Sequence, residues 1–246
     1  MRNKYRQMLQ DLTEYNIELS DKQLNQFDEY FNLLVEWNKV MNLTAITEFN
    51  EVCKLHFVDS ISGAKYYDFS KVGLTLSDIG TGAGFPGIPL KIVFPKLRVT
   101  LIDSLNKRVS FLNVVIDKLG LNEEGSIGTL HGRAEDYCQG KNKNLRESFD
   151  IVVSRAVANM STLSEYCLPY VKTGGVLIAY KGDKGKEELS QAGKAIDILG
   201  GKIRSADEFT LPNSDIKRTI CIIEKVKKTS NKYPRKAGMP SKEPLN

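Results

Sequence analysis

Apolar residues Leu24, Phe27, Phe31, Leu34 and Val35 recur at three- and four-residue steps, the spacing that puts side chains on one face of a helix. Just before them, Leu19-Ser-Asp-Lys-Gln-Leu24 carries a helix-start signature. Ser20 is placed to cap, Gln23 to return the bond, and Leu19 and Leu24 to staple the entry. The first sixty residues therefore read as helical, with Asn42 and Thr44 closing the long helix. A second helix is predicted over 48–64, carrying His56 and Asp59 one turn apart, and 66–73 reads as a linker. From Leu74 the period changes. Strand-like runs at 74–79, 98–103, 126–131, 149–154, 175–181, 202–211 and 218–225 alternate with helix-like runs at 86–94, 104–119, 159–171 and 183–199. Such alternation predicts an α/β fold, a mostly parallel sheet with helices on both faces. The last two strands are joined only by Pro212-Asn-Ser-Asp215, which predicts an antiparallel hairpin at the C-terminal edge. The expected organisation is an N-terminal helical extension over 1–70 packed on the core, a seven-stranded unit over 71–226 and a tail over 227–246.

Charge changes the picture of the tail. From Lys225 to Lys242 there are seven basic residues and no acid, more than the whole net charge of +5. The body is thus close to neutral and the end is a polycation, suited either to a phosphate backbone or simply to solvent. Cys53, Cys138, Cys167 and Cys221 form no C-x-x-C pair and have no histidine at ligand spacing, so no metal site is expected and reduced thiols are. No run approaches the ~20 apolar residues of a membrane span. The basic N-terminus lacks a signal-peptide apolar core, so a cytoplasmic location and no membrane partner are expected.

The chemistry concentrates after the first strand, in Leu76-Ser-Asp-Ile-Gly-Thr-Gly-Ala-Gly-Phe-Pro-Gly87. Glycines at a strand end let bare backbone approach a nucleotide-like ligand. Two registers compete. Gly82-x-Gly84-x-x-Gly87 satisfies a dinucleotide fingerprint but starts two residues late and contains Pro86. Gly80-x-Gly82-x-Gly84 starts where the strand ends and leaves Pro86 as first helical residue, where a missing N–H costs nothing. A diphosphate wants free N–H groups at that helix start. The early register, together with seven strands and a terminal hairpin, favours S-adenosylmethionine. Asp103 ends the second strand, where a carboxylate accepts ribose hydroxyls; its bland alternative is a helix N-cap. His131-Gly-Arg-Ala-Glu-Asp136 ends the third strand, where main-chain groups of Ala134 and Glu135 would read an adenine amine, or where an ordinary polar loop lies. Arg155 follows the fourth strand, placed for a methionine carboxylate or a target phosphate, or for an ion pair with Asp78 or Asp150.

The chain resembles the bacterial small-subunit ribosomal RNA guanine-N7 methyltransferases, the glucose-inhibited-division-B family. The resemblance rests on Trp37-Asn-Lys-x-x-Asn-Leu-Thr44, His56-Phe-Val-Asp-Ser60, Asp78 to Gly87, Gly132-Arg-Ala-Glu135, Ser154-Arg-Ala156 and Tyr233-Pro-Arg-Lys-x-Gly-x-Pro240. It implies a Rossmann-like class I methyltransferase fold, S-adenosylmethionine as donor, and a loop guanine of 16S rRNA, free or in a small-subunit precursor, as acceptor. It also implies cofactor contacts at Gly80, Phe85, Ala134, Glu135 and Arg155; from the residues alone Phe85 reads as core. Guanine N7 carries a free lone pair, so no acid–base residue is expected, with Arg155 at most in support and alignment supplying the acceleration. An Asp/Asn-Pro-Pro-aromatic motif, as in adenine-N6 or cytosine-N4 enzymes, is replaced here by Ser-Arg-Ala.

RNA is expected to meet Lys181, Lys184 and Lys186 in the loop after the fifth strand, Arg235 and Lys236 in the tail, and Lys39, Lys54 and His56 in the extension. His56 and Asp59 read rather better as a buried contact between extension and body. Two rivals stand beside this reading. One is an NAD(P)-dependent oxidoreductase, for which Tyr67 and Lys71 lie on the wrong side of the glycine strand. The other is an RNA-binding module without turnover, against which the intact glycine loop, Asp103 and Glu135 argue.

Overall fold

A computed structural model of the protein describes residues 1–122, 127–139 and 144–245. The extension begins with α1 (Arg6–Thr13) and α2 (Asp21–Met41). The expected capping box starts α2: Ser20 Oγ accepts from the Gln23 N–H at 3.3 Å, and Gln23 Oε1 accepts from the Ser20 N–H at 2.9 Å. Asn42 ends it in the left-handed region, φ 49°, which a short amide side chain tolerates. The helix expected over 48–64 is helical but not uniform. It runs as α3 (Phe49–Val52), a π-helical stretch Cys53–Val58, α4 (Asp59–Ile61) and a 3-10 turn Ser62–Lys65.

The body follows as β1 (Thr75–Ile79), α5 (Gly87–Val93), β2 (Arg98–Asp103), α6 (Asn106–Lys118), β3 (Ile127–His131), β4 (Phe149–Arg155) and α7 (Met160–Cys167). It continues as β5 (Val171–Lys181), α8 (Gly185–Gln191), α9 (Gly193–Ile198), β6 (Gly201–Thr210), β7 (Lys217–Lys225) and α10 (Met239–Lys242). One seven-stranded sheet has the order β3-β2-β1-β4-β5-β7-β6. Strands β1 to β5 pair in parallel, and β7 is antiparallel to β5 and β6, the predicted hairpin. Ser126, the expected first residue of β3, lies outside the described residues. Order reverses between β1 and β4, and a crevice opens beyond the strand ends at such a switch point.

Three expectations need correction. Pro86 caps α5 rather than opening it, after a cis peptide bond from Phe85. The single helix expected over 183–199 is two, because Ala192 leaves the helical ψ (1°) and Gly193, a poor helix former, follows. The helix expected over 159–171 starts at Asn159, whose side chain accepts from the Thr162 N–H, but tightens to a 3-10 turn at Leu168–Tyr170, where Pro169 has no N–H to give.

Side chains alternate across the central strands. Ile151, Val153, Ile178 and Ile222 join one core cluster, while Val152, Leu177 and Ile223 join the other. The first cluster includes Phe27, Leu34 and Phe57, so the extension covers one face of the sheet. The second takes in Leu163, Leu189 and Ile196 from α7, α8 and α9. The four cysteines are buried and unpaired. Burial pushes the thiols of Cys53, Cys138 and Cys221 up to about 12. Among the described residues no helix is long and apolar enough to cross a membrane.

The tail is not solvated along its length. Arg146 donates to the carbonyls of Tyr233 at 2.8 Å and Thr229 at 2.6 Å, and buried Lys225 donates to the Leu168 carbonyl at 2.6 Å. Residues 229–243 are thereby strapped to the body.

A shared core predicts shared unfolding. The single tryptophan, Trp37, sits on α2 against Phe111 of the body, ring centroids 5.7 Å apart. Its fluorescence and far-UV circular dichroism are expected to report one coincident urea transition. Phe27→Ala, at a fully buried position, should shift both probes together by about 3–5 kcal/mol; two separated transitions would show an independently folding extension.

Candidate active site

Two cavities lie at the carboxyl ends of the parallel strands. The smaller, about 310 Å³, is walled by Gly80, Asp103, Ala134, Glu135 and Tyr166. The larger, about 630 Å³, is walled by His56, Asp59, Arg155, Lys181, Glu188 and Arg218. Val157 lines both. Four of the eight residues expected to hold a cofactor thus meet in the smaller cavity, and Arg155 stands across Val157 in its neighbour.

The glycine loop is shaped by what it must approach. Gly80 has φ +70°, and a Cβ there would come within 2.6 Å of Val157 Cγ2 at the seam between the cavities. Gly84 has φ +103°, and a Cβ there would meet the Tyr30 hydroxyl at 2.6 Å. That hydroxyl donates to the Ala83 carbonyl at 2.5 Å, so α2 braces the loop from behind. Gly82 gives its N–H to Asp103 Oδ2 at 2.9 Å. Phe85 is buried in an aromatic cluster, with His56 stacked at 4.5 Å and Tyr30 at 5.4 Å. The Arg155 guanidinium lies 5.1 Å from the same ring. Phe85 therefore packs between loop and extension and does not line the smaller cavity.

Asp103 is a hub rather than a helix cap. Its Oδ1 accepts from the Leu105 N–H at 2.9 Å and its Oδ2 from Gly82, with Arg108 at 3.4 Å. The residue that caps α6 is Leu105, without a side-chain bond. A carboxylate has about four lone-pair sites, so with three bonds taken, capacity for about one hydroxyl donor remains, on Oδ1. Asp78, one strand over, was read from the sequence only as a candidate partner for Arg155 and the start of the glycine motif. Its Oδ2 accepts from Thr81 Oγ1 at 2.7 Å and from the Gly87 N–H at 2.8 Å, while its Oδ1 is buried without a hydrogen-bond partner. Burial raises this carboxyl to about 7. With the Gly82 and Gly87 N–H groups both given to carboxylates, the later glycine register offers no cradle for a diphosphate.

Arg155 does not pair with Asp78 or Asp150. It donates to Asp59 Oδ2 at 3.0 Å, the Leu55 carbonyl at 3.0 Å and His56 Nδ1 at 3.2 Å, all in the extension. Asp59 Oδ1 accepts from Arg218 Nε at 3.0 Å, so one buried carboxylate joins β4, β7 and α4. Guanidinium has only donors, which fixes His56 Nδ1 as acceptor and leaves Nε2–H to donate to Thr44 Oγ1 at 2.8 Å. Burial, then the Arg155 charge, lowers the imidazolium to about 3, so His56 is neutral at physiological pH. Arg218 carried no sequence signal; its place on the hairpin strand gave no hint of reaching α4.

The expected RNA-facing cations divide. Lys184 and Lys186 are exposed, with Lys186 3.6 Å from Glu208. Lys181 instead points into the larger cavity, where Glu188 holds it at 2.8 Å. Lys236 is exposed, while Arg235 is bound by Glu165 through Nε and Nη2, the latter at 2.7 Å, with its side chain 23% exposed. In the extension, Lys54 is paired with buried Asp11.

Comparison with known proteins adds the following. A family model described as GidB, rRNA small subunit methyltransferase G, matches residues 23–221. A "Ribosomal RNA small subunit methyltransferase G" of Exiguobacterium sibiricum is 52% identical over 97% of this chain and 98% of the relative. One of Lachnoclostridium phytofermentans is 53% identical over 96% of each. Among solved structures, M. jannaschii TYW2 in complex with AdoMet aligns with a TM-score of 0.52 at 16% identity, over 68% of this chain and 77% of that one. The fold is the Rossmann-like class I arrangement of methyltransferases.

His56 generates a pH prediction. Its depressed value means that its stabilising effect is complete above the ordinary 6.5 and is lost as pH falls from 6.5 toward 3. Asp78, with a raised value, acts oppositely, losing its contribution as pH rises from about 4 to 7. Urea unfolding of wild type and His56→Gln at several pH values separates the two. Wild type is expected to lose stability relative to the variant below pH 6.5, by up to about 1.4 kcal/mol per pH unit; a constant difference would place a charged imidazole in the native state.

Proposed function

This chain belongs to the GidB family of small-subunit rRNA methyltransferases, and from that premise we propose that it methylates N7 of a guanine in a loop of 16S ribosomal RNA, with S-adenosylmethionine as donor. What carries the reading is the pair of cavities meeting at Val157, one built for a nucleoside and one for an anionic partner. The smaller suits an S-adenosyl group: Asp103 Oδ1 keeps a lone pair for a ribose hydroxyl, Ala134 and Glu135 line it, and the later glycine register offers no diphosphate cradle. The nicotinamide reading accordingly finds no support.

The bound donor supplies a methyl group on a sulfonium, and the acceptor N7 supplies its own lone pair. A carbon–nitrogen bond forms as the carbon–sulfur bond breaks, the pair returns to sulfur, and the positive charge passes to the guanine. No proton leaves. The protein's task is then alignment in a site free of competing water. In the larger cavity Arg155, Arg218 and Lys181 face Asp59 and Glu188, three cations against two anions. That excess complements one phosphate of the acceptor strand. His56, neutral and with its Nδ1 lone pair given to Arg155, holds the cation in place and is not a base for the reaction.

The decisive experiment incubates the protein with labelled S-adenosylmethionine and 16S rRNA from a strain lacking the enzyme. Borohydride–aniline treatment is expected to cut the product at one new position; label without such a cut would overturn the N7 assignment. Uptake of NADH with no binding of S-adenosylmethionine would overturn the whole reading. Charge reversal at exposed Lys184 and Lys186 is expected to weaken RNA binding and lower the slope of log affinity against log salt by roughly 1 per residue. An unchanged slope would remove this loop from the footprint.

A further inference from the structure

The family match stops at residue 221, yet the strap beyond it returns to the walls of the smaller cavity. Arg235 enters between α7 and the loop after β3. Its N–H donates to Glu165 Oε1 at 2.7 Å, and its Nε and Nη2 bind both oxygens of the same carboxylate. Glu165 is wholly buried, and its neighbour Tyr166 lines the cavity. Three residues further, Gly238 turns with φ +83° and gives its N–H to Glu135 Oε1 at 2.9 Å. Gln139 donates to the Arg235 carbonyl, and Thr162 Oγ1 to the Pro240 carbonyl at 3.1 Å. Every one of these bonds ends on α7 or on the segment 135–139, the two elements that close the cavity on the side away from the glycine loop.

Glu135 is the centre of the argument. It was expected to touch the cofactor through its main chain; its side-chain Oε1 accepts from the strap and only 4% of the residue is exposed. The strap bond to its side chain bears on where its main chain lies beside the cavity. A buried carboxylate left without Arg235 is strongly unfavourable, so the Glu165 pair fixes the strap rather than decorating it. We propose that the segment 229–243 is an integral wall of the donor site, with Arg235, Glu165 and Gly238 as positioning residues for the 134–135 main chain, and that this end of the chain acts on donor binding rather than on RNA. The inference rests on the S-adenosylmethionine reading given above.

The test measures S-adenosylhomocysteine affinity by calorimetry, S-adenosylmethionine KM and kcat by methyl transfer, and RNA affinity across salt. Full-length wild type, Arg235→Ala, Arg235→Lys and Gly238→Ala are compared. Gly238→Ala strains the turn without a close contact, since the nearest atom to its Cβ would be 3.8 Å away. Arg235→Ala and Gly238→Ala are expected to weaken donor affinity about tenfold, the range of a moderate coupling, with kcat at saturating donor and RNA affinity little changed. Arg235→Lys should recover part of the loss. If Arg235→Ala fails to fold, Gly238→Ala decides alone. Donor affinity equal to wild type in Gly238→Ala, or a loss confined to RNA affinity, overturns the proposal. Failure of wild type itself to bind S-adenosylhomocysteine would instead overturn the donor reading.

Discussion

One buried carboxylate, Asp59, holds the candidate site together. It lies on the helical extension and accepts from Arg155 at the end of β4 and Arg218 on β7, two strands that are not neighbours in the sheet. Removing one member of such a buried group costs about 3–5 kcal/mol, because the others keep their charges without compensation. Geometry follows from this constraint. Arg155 is aimed away from the smaller cavity, His56 is fixed in one tautomer, and Phe85 is pressed between them and the glycine loop. Two cations on one anion also leave a surplus positive charge at the larger cavity.

Local signals in the sequence were enough wherever the cause of structure is local. The Ser20/Gln23 cap, the strand–glycine–helix succession and the closing hairpin each depend on neighbours a few residues apart, and each appears as read. Two residues of the glycine site, Gly80 and Asp103, meet because strand ends coincide at a switch point, which topology alone dictates. What was not legible depends on distant partners. Arg155 had two candidate acids, Asp78 on the adjacent strand and Asp150 on its own, and took a third from another layer. Lys181 and Arg235 looked like free cations because nothing in a linear pattern shows Glu188 or Glu165 waiting for them. Polybasic composition was read as suited to a phosphate backbone or to solvent, while Lys225 and Arg146 bind backbone carbonyls and tie that end down.

Both ends of the chain act on the same small cavity from opposite sides. Tyr30 on α2 supports the Ala83 carbonyl behind the glycine loop, and Gly238 in the strap supports Glu135 behind the facing loop. Neither group touches the cavity. Loops that approach a ligand closely have little side chain of their own with which to be rigid, so their stiffness is borrowed from appendages. Shared core packing makes that support part of the global fold rather than a separate lid.

The buried sulfurs have a practical meaning. All four thiols are enclosed and, where their protonation is perturbed, held further from the reactive thiolate than in free cysteine. The native protein therefore offers a quiet background to maleimide or photocrosslinking reagents. A single cysteine placed at an outward position such as 184, in the loop proposed to meet RNA, would test that contact without first stripping the molecule of its own sulfur.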